Sequence, residues 1–229
     1  MTGVLAGKKT LITAADTYMG PAIAKRFTRE GADVISDTQC YDNDPTLPAE
    51  IIRQAGRVDI LVVNLQPDPP IMAIHCSADK EKEESWQKMF NRLVHPTMRF
   101  VSAVLPQMIE RRSGKIIVVT SAAPLKAIPR ISAYSSARGA QNSYVKVVGE
   151  EVARHNVQIN AVAQNFTIGG FPADAMEDPA MVDFVKQQVP AQRLATGEEQ
   201  AALCLFLAST ESDFFSGQVF PFSGGWVTT

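Results

Sequence analysis

Three consecutive pieces decide the fold: Lys9-Thr-Leu-Ile-Thr13, then Ala14-Ala-Asp-Thr-Tyr-Met-Gly20, then Pro21-Ala-Ile-Ala-Lys-Arg-Phe-Thr-Arg-Glu30. The first is a short apolar run of the kind a fully buried strand needs. The last carries apolar residues at helical spacing, and the middle is the connection between them. Pro21 suits the first turn of a helix, where a missing N–H costs nothing, and Gly31 stops it. The same alternation continues along the chain. Asp33-Val-Ile-Ser36, Asp59-Ile-Leu-Val-Val-Asn64, Lys115-Ile-Ile-Val-Val-Thr120, Val157-Gln-Ile-Asn-Ala-Val162 and Gly217-Gln-Val-Phe-Pro-Phe222 read as strands. Helical patterns fall near Pro48–Gln54, Ser85–Arg112, Ser132–Arg154, Met181–Gln188 and Glu198–Ala208, and the charge run Asp79–Glu84 reads as the solvated start of a helix. Continuous apolar strands that alternate with helices predict an α/β fold: a doubly wound parallel sheet of about seven strands with helices on both faces. No repeat, linker or low-complexity tract divides residues 1–229, so a single domain is expected.

Composition excludes several function classes. The 229 residues are 45% hydrophobic with a formal net charge of −2. A nucleic-acid binder needs a basic surface to displace counterions from phosphates, so no nucleic-acid partner is expected. No apolar run is long enough to span a bilayer, and residues 1–9 lack a signal-peptide pattern, so a cytoplasmic protein with no membrane partner is expected. Cys40, Cys76 and Cys204 are widely spaced, form no zinc or redox motif, and read as buried or half-buried thiols in a reducing compartment. His75, His95 and His155 show no ligand spacing, which leaves no metal site in view. Met72, Met89, Met98 and Met108 read as core filler.

The first strand-to-helix turn of a doubly wound sheet is the usual dinucleotide site, because glycines there let the backbone approach the pyrophosphate. Here only Gly20 remains, Tyr18 stands where close approach is needed, and Asp16 adds negative charge. The expectation is that no cofactor binds and that the Tyr18 side chain fills the vacated space. Asp37, at the end of the second strand, would then be a solvated residue rather than a ribose ligand.

Chemistry concentrates elsewhere. Ser121 follows a buried strand directly, which puts it at the carboxyl edge of the sheet, where ligands bind in open α/β folds. Tyr134 and Arg138 lie at i and i+4 of the next helix and share a face. A guanidinium about 4 Å from a phenol, at an effective dielectric of ~20, favours the phenolate by roughly 4 kcal/mol before desolvation is subtracted. Arginine suits that role because it stays charged. The three residues are therefore a candidate catalytic set, with Tyr134 as base, Arg138 as its electrostatic partner and Ser121 orienting the substrate oxygen.

The spacing of Ser121 and Tyr134, with Asp59–Asn64, Ala103-Val-Leu-Pro106, Gly114–Ser121, Tyr134-Ser-Ser-Ala137 and Gly217–Gly225, resembles the short-chain dehydrogenase/reductase superfamily over nearly the whole chain. That resemblance implies a Rossmann-like domain. Four departures stand out: the glycine-poor turn, Arg138 in place of the reductases' lysine, about Leu93 in place of their helix asparagine, and Gln164-Asn165 in place of their Pro-Gly. In these the sequence is similar to the halohydrin dehalogenases, a branch with a Ser-Tyr-Arg set and no nicotinamide. The similarity extends to Asn165-Phe166, Arg193-Leu-Ala195 and Leu207-Ala-Ser209. It implies conversion of vicinal haloalcohols to epoxides with release of halide and a proton. The reverse, opening of epoxides by small anions such as azide, cyanide or nitrite, is implied too, as is a homotetramer packed through the two long helices. By the same resemblance the halide and substrate site would be formed by Tyr18, Pro69, Gln164, Asn165, Phe166 and Thr167, with Phe171, Pro172 and Trp226 near the substrate. Phe166 reads equally well as core, and Trp226 as an interface residue. Two other readings stay open: an NAD(P)-dependent reductase with a variant turn, and a non-catalytic ligand-binding member of the superfamily.

Overall fold

A computed structural model describes residues 3–42, 44–67, 75–168 and 178–228. Six strands, β1 (Lys9–Ile12), β2 (Asp33–Ser36), β3 (Ile60–Asn64), β4 (Gly114–Ser121), β5 (Val157–Gln164) and β6 (Val219–Phe222), form one parallel sheet in the order β2-β1-β3-β4-β5-β6. The chain enters at β1, winds outward to β2, then reverses across β1 to β3. This reversal creates the crevice at the carboxyl ends of β1 and β3 that open α/β sheets use for ligands. Each apolar run quoted above is a strand. The expected count of about seven is corrected to six among the described residues: the chain between β2 and β3 holds a single crossover helix, α2 (Leu47–Ala55), and no further strand beyond β2.

Both faces of the sheet are covered. On one side α2, α4 (His95–Glu110) and α6 (Ser132–Ala153) bury Ile51, Phe100, Val104, Val145 and Val148 against Leu61, Val118 and Ile159. On the other, α1 (Gly20–Arg29) and α8 (Gly197–Ala208) bury Ile23, Phe27, Ala201 and Cys204 against Ile12, Val62 and Val119. The residues of β3 and β4 feed both layers alternately, which is why these strands are apolar throughout. A short helix, α5 (Ala123–Lys126), follows β4, and α7 (Pro179–Gln188) precedes α8.

The long helix expected over 85–112 is interrupted. It begins as α3 (Glu83–Met89), passes through a π-helical turn at Phe90–Val94 and continues as α4. The charge run before it is partly a separate 3-10 turn, Ala78–Lys80, rather than the helix start itself. Cys204 is buried and Cys76 half-buried, but Cys40 is exposed, since it lies in the connection beyond the edge strand β2. Met89 and Met108 are core residues, whereas Met98 projects from α4. Among the described residues no helix is long and apolar enough to cross a membrane, and no cluster of metal-ligating side chains occurs.

The turn after β1 is held by a residue at the end of β3. Asn64 is fully buried; its Oδ1 accepts the Met19 N–H at 3.3 Å, and its Nδ2 donates to the Ala14 and Thr17 carbonyls at 2.9 and 3.0 Å. Gly20 lets α1 start directly against this turn, because a Cβ there would lie 2.6 Å from Ala15 Cα. Replacing Asn64 by Ala leaves these buried groups unpaired. Asn64→Ala is expected to lower unfolding stability by about 2–4 kcal/mol, measured by urea denaturation.

Candidate active site

Ser121 ends β4 and Tyr134 projects from the start of α6, and both open onto one cavity of about 560 Å³. Asn165 and Phe166 from the loop after β5, Phe184 of α7 and Trp226 complete the wall that matters for the chemistry. Ser121 Oγ accepts the Ala123 N–H at 3.0 Å, which orients the hydroxyl at the first turn of α5. The cavity wall is strongly aromatic: the Phe166 ring meets Phe184 at 5.8 Å and Trp226 at 6.1 Å between centroids, both edge to face.

Arg138 does not line this cavity. It lies behind Tyr134, 0% exposed, and is one of the largest fully buried side chains of the protein. Its Nη2 donates to the Leu65 carbonyl at 2.7 Å, its Nη1 to the Val119 carbonyl and to Gln141 Oε1 at 3.0 Å each, and its Nε to Tyr134 Oη at 3.4 Å. The β3–β4 ladder ends at the pair Asn64–Val119, and the carbonyls at that end take the guanidinium. Every one of these acceptors is uncharged. No carboxylate pairs with Arg138 among the described residues. The guanidinium is thus satisfied by dipoles alone among the described residues, and Tyr134 Oη is in contact with it.

The turn after β1 carries one tyrosine, and a second from the connection after β2 packs on it, where a dinucleotide would need open backbone. Tyr18, at φ 58°, sends its ring to within 5.9 Å of the Arg138 guanidinium, and its Oη accepts from Gln164 Nε2. Burial, reinforced by neighbouring Tyr134, pushes the Tyr18 hydroxyl up, so it stays a neutral phenol. On the far side of the turn, Tyr41 is buried, takes the Ala14 N–H at 3.1 Å and donates to Asp37. Asp37, expected to be solvated, is buried under Tyr41 and also accepts from Gln39. Sequence reading missed Tyr41 because it lies in a loop with no periodicity, and its contact with Asp37 arises only when the loop folds back over β2. Four further turn amides are committed as well: Ala15 N–H to Asp37 O, Thr17 N–H to Ala14 O, Met19 N–H to Asn64, and Gly20 N–H to Thr17 O.

The loop after β5 separates the expected site residues. Asn165 and Phe166 face the cavity, whereas Gln164, Thr167 and Tyr18 are not part of its lining. Gln164 is tied to Tyr18, and Thr167 is buried with its Oγ1 on the Asn165 carbonyl at 2.8 Å and its backbone bridged to Ala195. Phe166 sits at φ 21°, an uncommon conformation for a bulky residue, with its carbonyl accepting from Ala195 N–H. Among the described residues Asn165 Nδ2 and Trp226 Nε1 are buried donors with no partner, and both residues line the cavity. Pro69, Phe171 and Pro172 lie outside the described residues.

A family model described as Enoyl-(Acyl carrier protein) reductase matches residues 43–227. The chain belongs to the short-chain dehydrogenase/reductase superfamily. It is 28% identical over 250 residues to the 3-oxoacyl-[acyl-carrier-protein] reductase FabG of Thermotoga maritima, covering 97% of this chain and 99% of that one. Among solved structures it is similar to a dehalogenation enzyme (26% identical, TM-score 0.89, 98% of this chain and 100% of that one). It is similar also to a halohydrin dehalogenase, HheC, bound to ethyl (2S)-oxiran-2-ylacetate (27%, TM-score 0.87, 97% and 98%). Reductases of the superfamily carry a nicotinamide dinucleotide on the turn after β1. The residues here do not fit that group: the turn amides named above are bonded within the protein, Tyr18 occupies the space between the turn and β5, and Tyr41 covers the acid at the end of β2.

Tyr41 thus has a definable structural load. Tyr41→Phe is expected to cost about 2–3 kcal/mol in chemical denaturation, because it strips a buried carboxylate of its phenol donor and Ala14 N–H of its acceptor.

Proposed function

We propose that the protein is a cofactor-independent halohydrin dehalogenase, a carbon–halide lyase that converts vicinal haloalcohols to epoxides. One observation carries this reading: the guanidinium beside Tyr134 is buried and has no carboxylate partner among the described residues, so its charge is available to a phenolate. Tyr134 accepts the proton of the substrate hydroxyl, while Ser121 Oγ holds the same oxygen and aims it at the neighbouring carbon. The oxygen's electron pair forms the new C–O bond as the C–halogen bond breaks, and halide leaves with that bond's pair. The products are epoxide, halide and a proton that passes from Tyr134 to solvent. In reverse, a small anion such as azide, cyanide or nitrite attacks an epoxide carbon and Tyr134 returns the proton to the ring oxygen.

The unpaired Asn165 Nδ2 and Trp226 Nε1, set among Phe166 and Phe184, favour an acceptor of low hydration such as a halide beside the loop after β5. In this reading Asn165 and Phe166 touch the leaving group, while Tyr18, Gln164 and Thr167 shape the loop from behind. The overall likeness to HheC and to a dehalogenation enzyme supports the same assignment. The exposed Met98 of α4 and Val147 of α6 mark the helix faces that a homotetramer would cover. The likeness to FabG favours a second reading, an NAD(P)-dependent reductase, against which the closed turn stands.

The two readings separate in one assay. Purified protein given a short bromo- or chloro-alcohol without cofactor is expected to release halide and acidify the medium. Tyr134→Phe is expected to lower that rate by about 100-fold or more, and millimolar NADPH to show no saturable binding. Saturable NADPH binding together with no halide release from any haloalcohol tested overturns the proposal.

A further inference from the structure

The network behind Arg138 contains a residue with no assigned role. Gln141, one turn further along α6, is 1% exposed. Its Nε2 donates to the Leu93 carbonyl at 2.9 Å and to Thr97 Oγ1 at 2.7 Å. The Thr97 hydroxyl spends its own proton on the same Leu93 carbonyl at 2.6 Å. Leu93 lies in the π-helical turn Phe90–Val94, and its carbonyl takes both of these side-chain donors. With acceptors on one side and a guanidinium, which only donates, on the other, a single orientation of the amide satisfies every partner: nitrogen toward Leu93 and Thr97, oxygen toward Arg138.

We infer that Gln141 is a positioning residue for the base: it locks the Arg138 fork so that Nε is left for Tyr134 Oη and, being neutral, leaves the guanidinium's charge uncompensated. A carboxylate at this position would hold the fork equally well but would neutralise it. Among the described residues the titratable groups facing Arg138 from the packed elements are Tyr134 on α6 and Tyr18 on the turn after β1; β4 and the residue after β3 present carbonyls, while Leu93 of the π-helical turn and Thr97 of α4 meet Gln141 instead. This inference rests on the proposed role of Tyr134, so its test includes a readout that does not need turnover.

The full-length wild type and Gln141→Glu are titrated by phenolate absorbance, each with its own Tyr134→Phe version subtracted. The chain has four tyrosines, and burial pushes Tyr18, Tyr41 and Tyr144 up, which keeps their ionisation apart from the signal sought. The Tyr134 midpoint is expected to rise by about one to two pH units in Gln141→Glu, from a new negative charge at ion-pair distance to Arg138. The acidic limb of halide release is expected to move with it. A folded Gln141→Glu protein whose Tyr134 midpoint stays at the wild-type value overturns the inference. Gln141→Met serves if the carboxylate prevents folding: it is expected to lower kcat rather than raise KM, with no rise in midpoint, and an unchanged kcat overturns the inference. A shifted midpoint in a protein that releases no halide from any haloalcohol supports the inference and sinks the dehalogenase reading instead.

Discussion

A guanidinium is held out of water behind the candidate site, and the surrounding chain gives it only dipoles. Arg138 is anchored by the Leu65 and Val119 carbonyls, by Gln141 and by Tyr134. A charge buried this deeply would be prohibitive without such acceptors. They exist because the β3–β4 ladder runs out at the carboxyl edge of the sheet, and because a π-helical turn presents a carbonyl that fixes Gln141. The catalytic hypothesis and the role inferred for Gln141 both depend on this one buried charge. Moved to the surface, the same arginine would be screened by water and would do little for a neighbouring phenol.

The turn after β1 differs from a dinucleotide-binding turn in how its backbone groups are used. Five of its amides are consumed internally, by Asn64, by Tyr41, by the Asp37 carbonyl and by turn carbonyls, where a dinucleotide-binding turn would keep them open. Tyr18 and Tyr41 fill space from opposite sides, and each is held by a polar partner, Gln164 and Asp37 respectively. Large polar side chains can replace a ligand only where their hydroxyls are satisfied, and both of these are.

Parts of the site were legible beforehand. Strand-end placement identified Ser121, and i,i+4 spacing put Tyr134 and Arg138 together. The glycine-poor turn pointed to Tyr18 as the filler. Asp37 was misjudged as solvated because its cover, Tyr41, comes from a loop whose path is not encoded by periodicity. Gln164 and Thr167 were grouped with Asn165 and Phe166 by the family resemblance. Successive residues leaving a strand diverge in direction, and only the latter pair reaches the cavity. Gln141 was invisible because its significance lies in contacts 44 and 48 residues away.

By itself the sequence determined the parallel α/β sheet, the layered helices and the placing of Tyr134 and Arg138 on one helix face with Ser121 at the strand end, because strand burial and helix spacing are local, periodic signals. The tertiary structure alone decided that Arg138 is buried with no acid beside it among the described residues, that most of the turn's amides are spent, and which loop residues open onto the cavity. Those outcomes depend on where unpaired carbonyls, amides and side-chain hydroxyls meet after distant segments pack, and no local pattern records that.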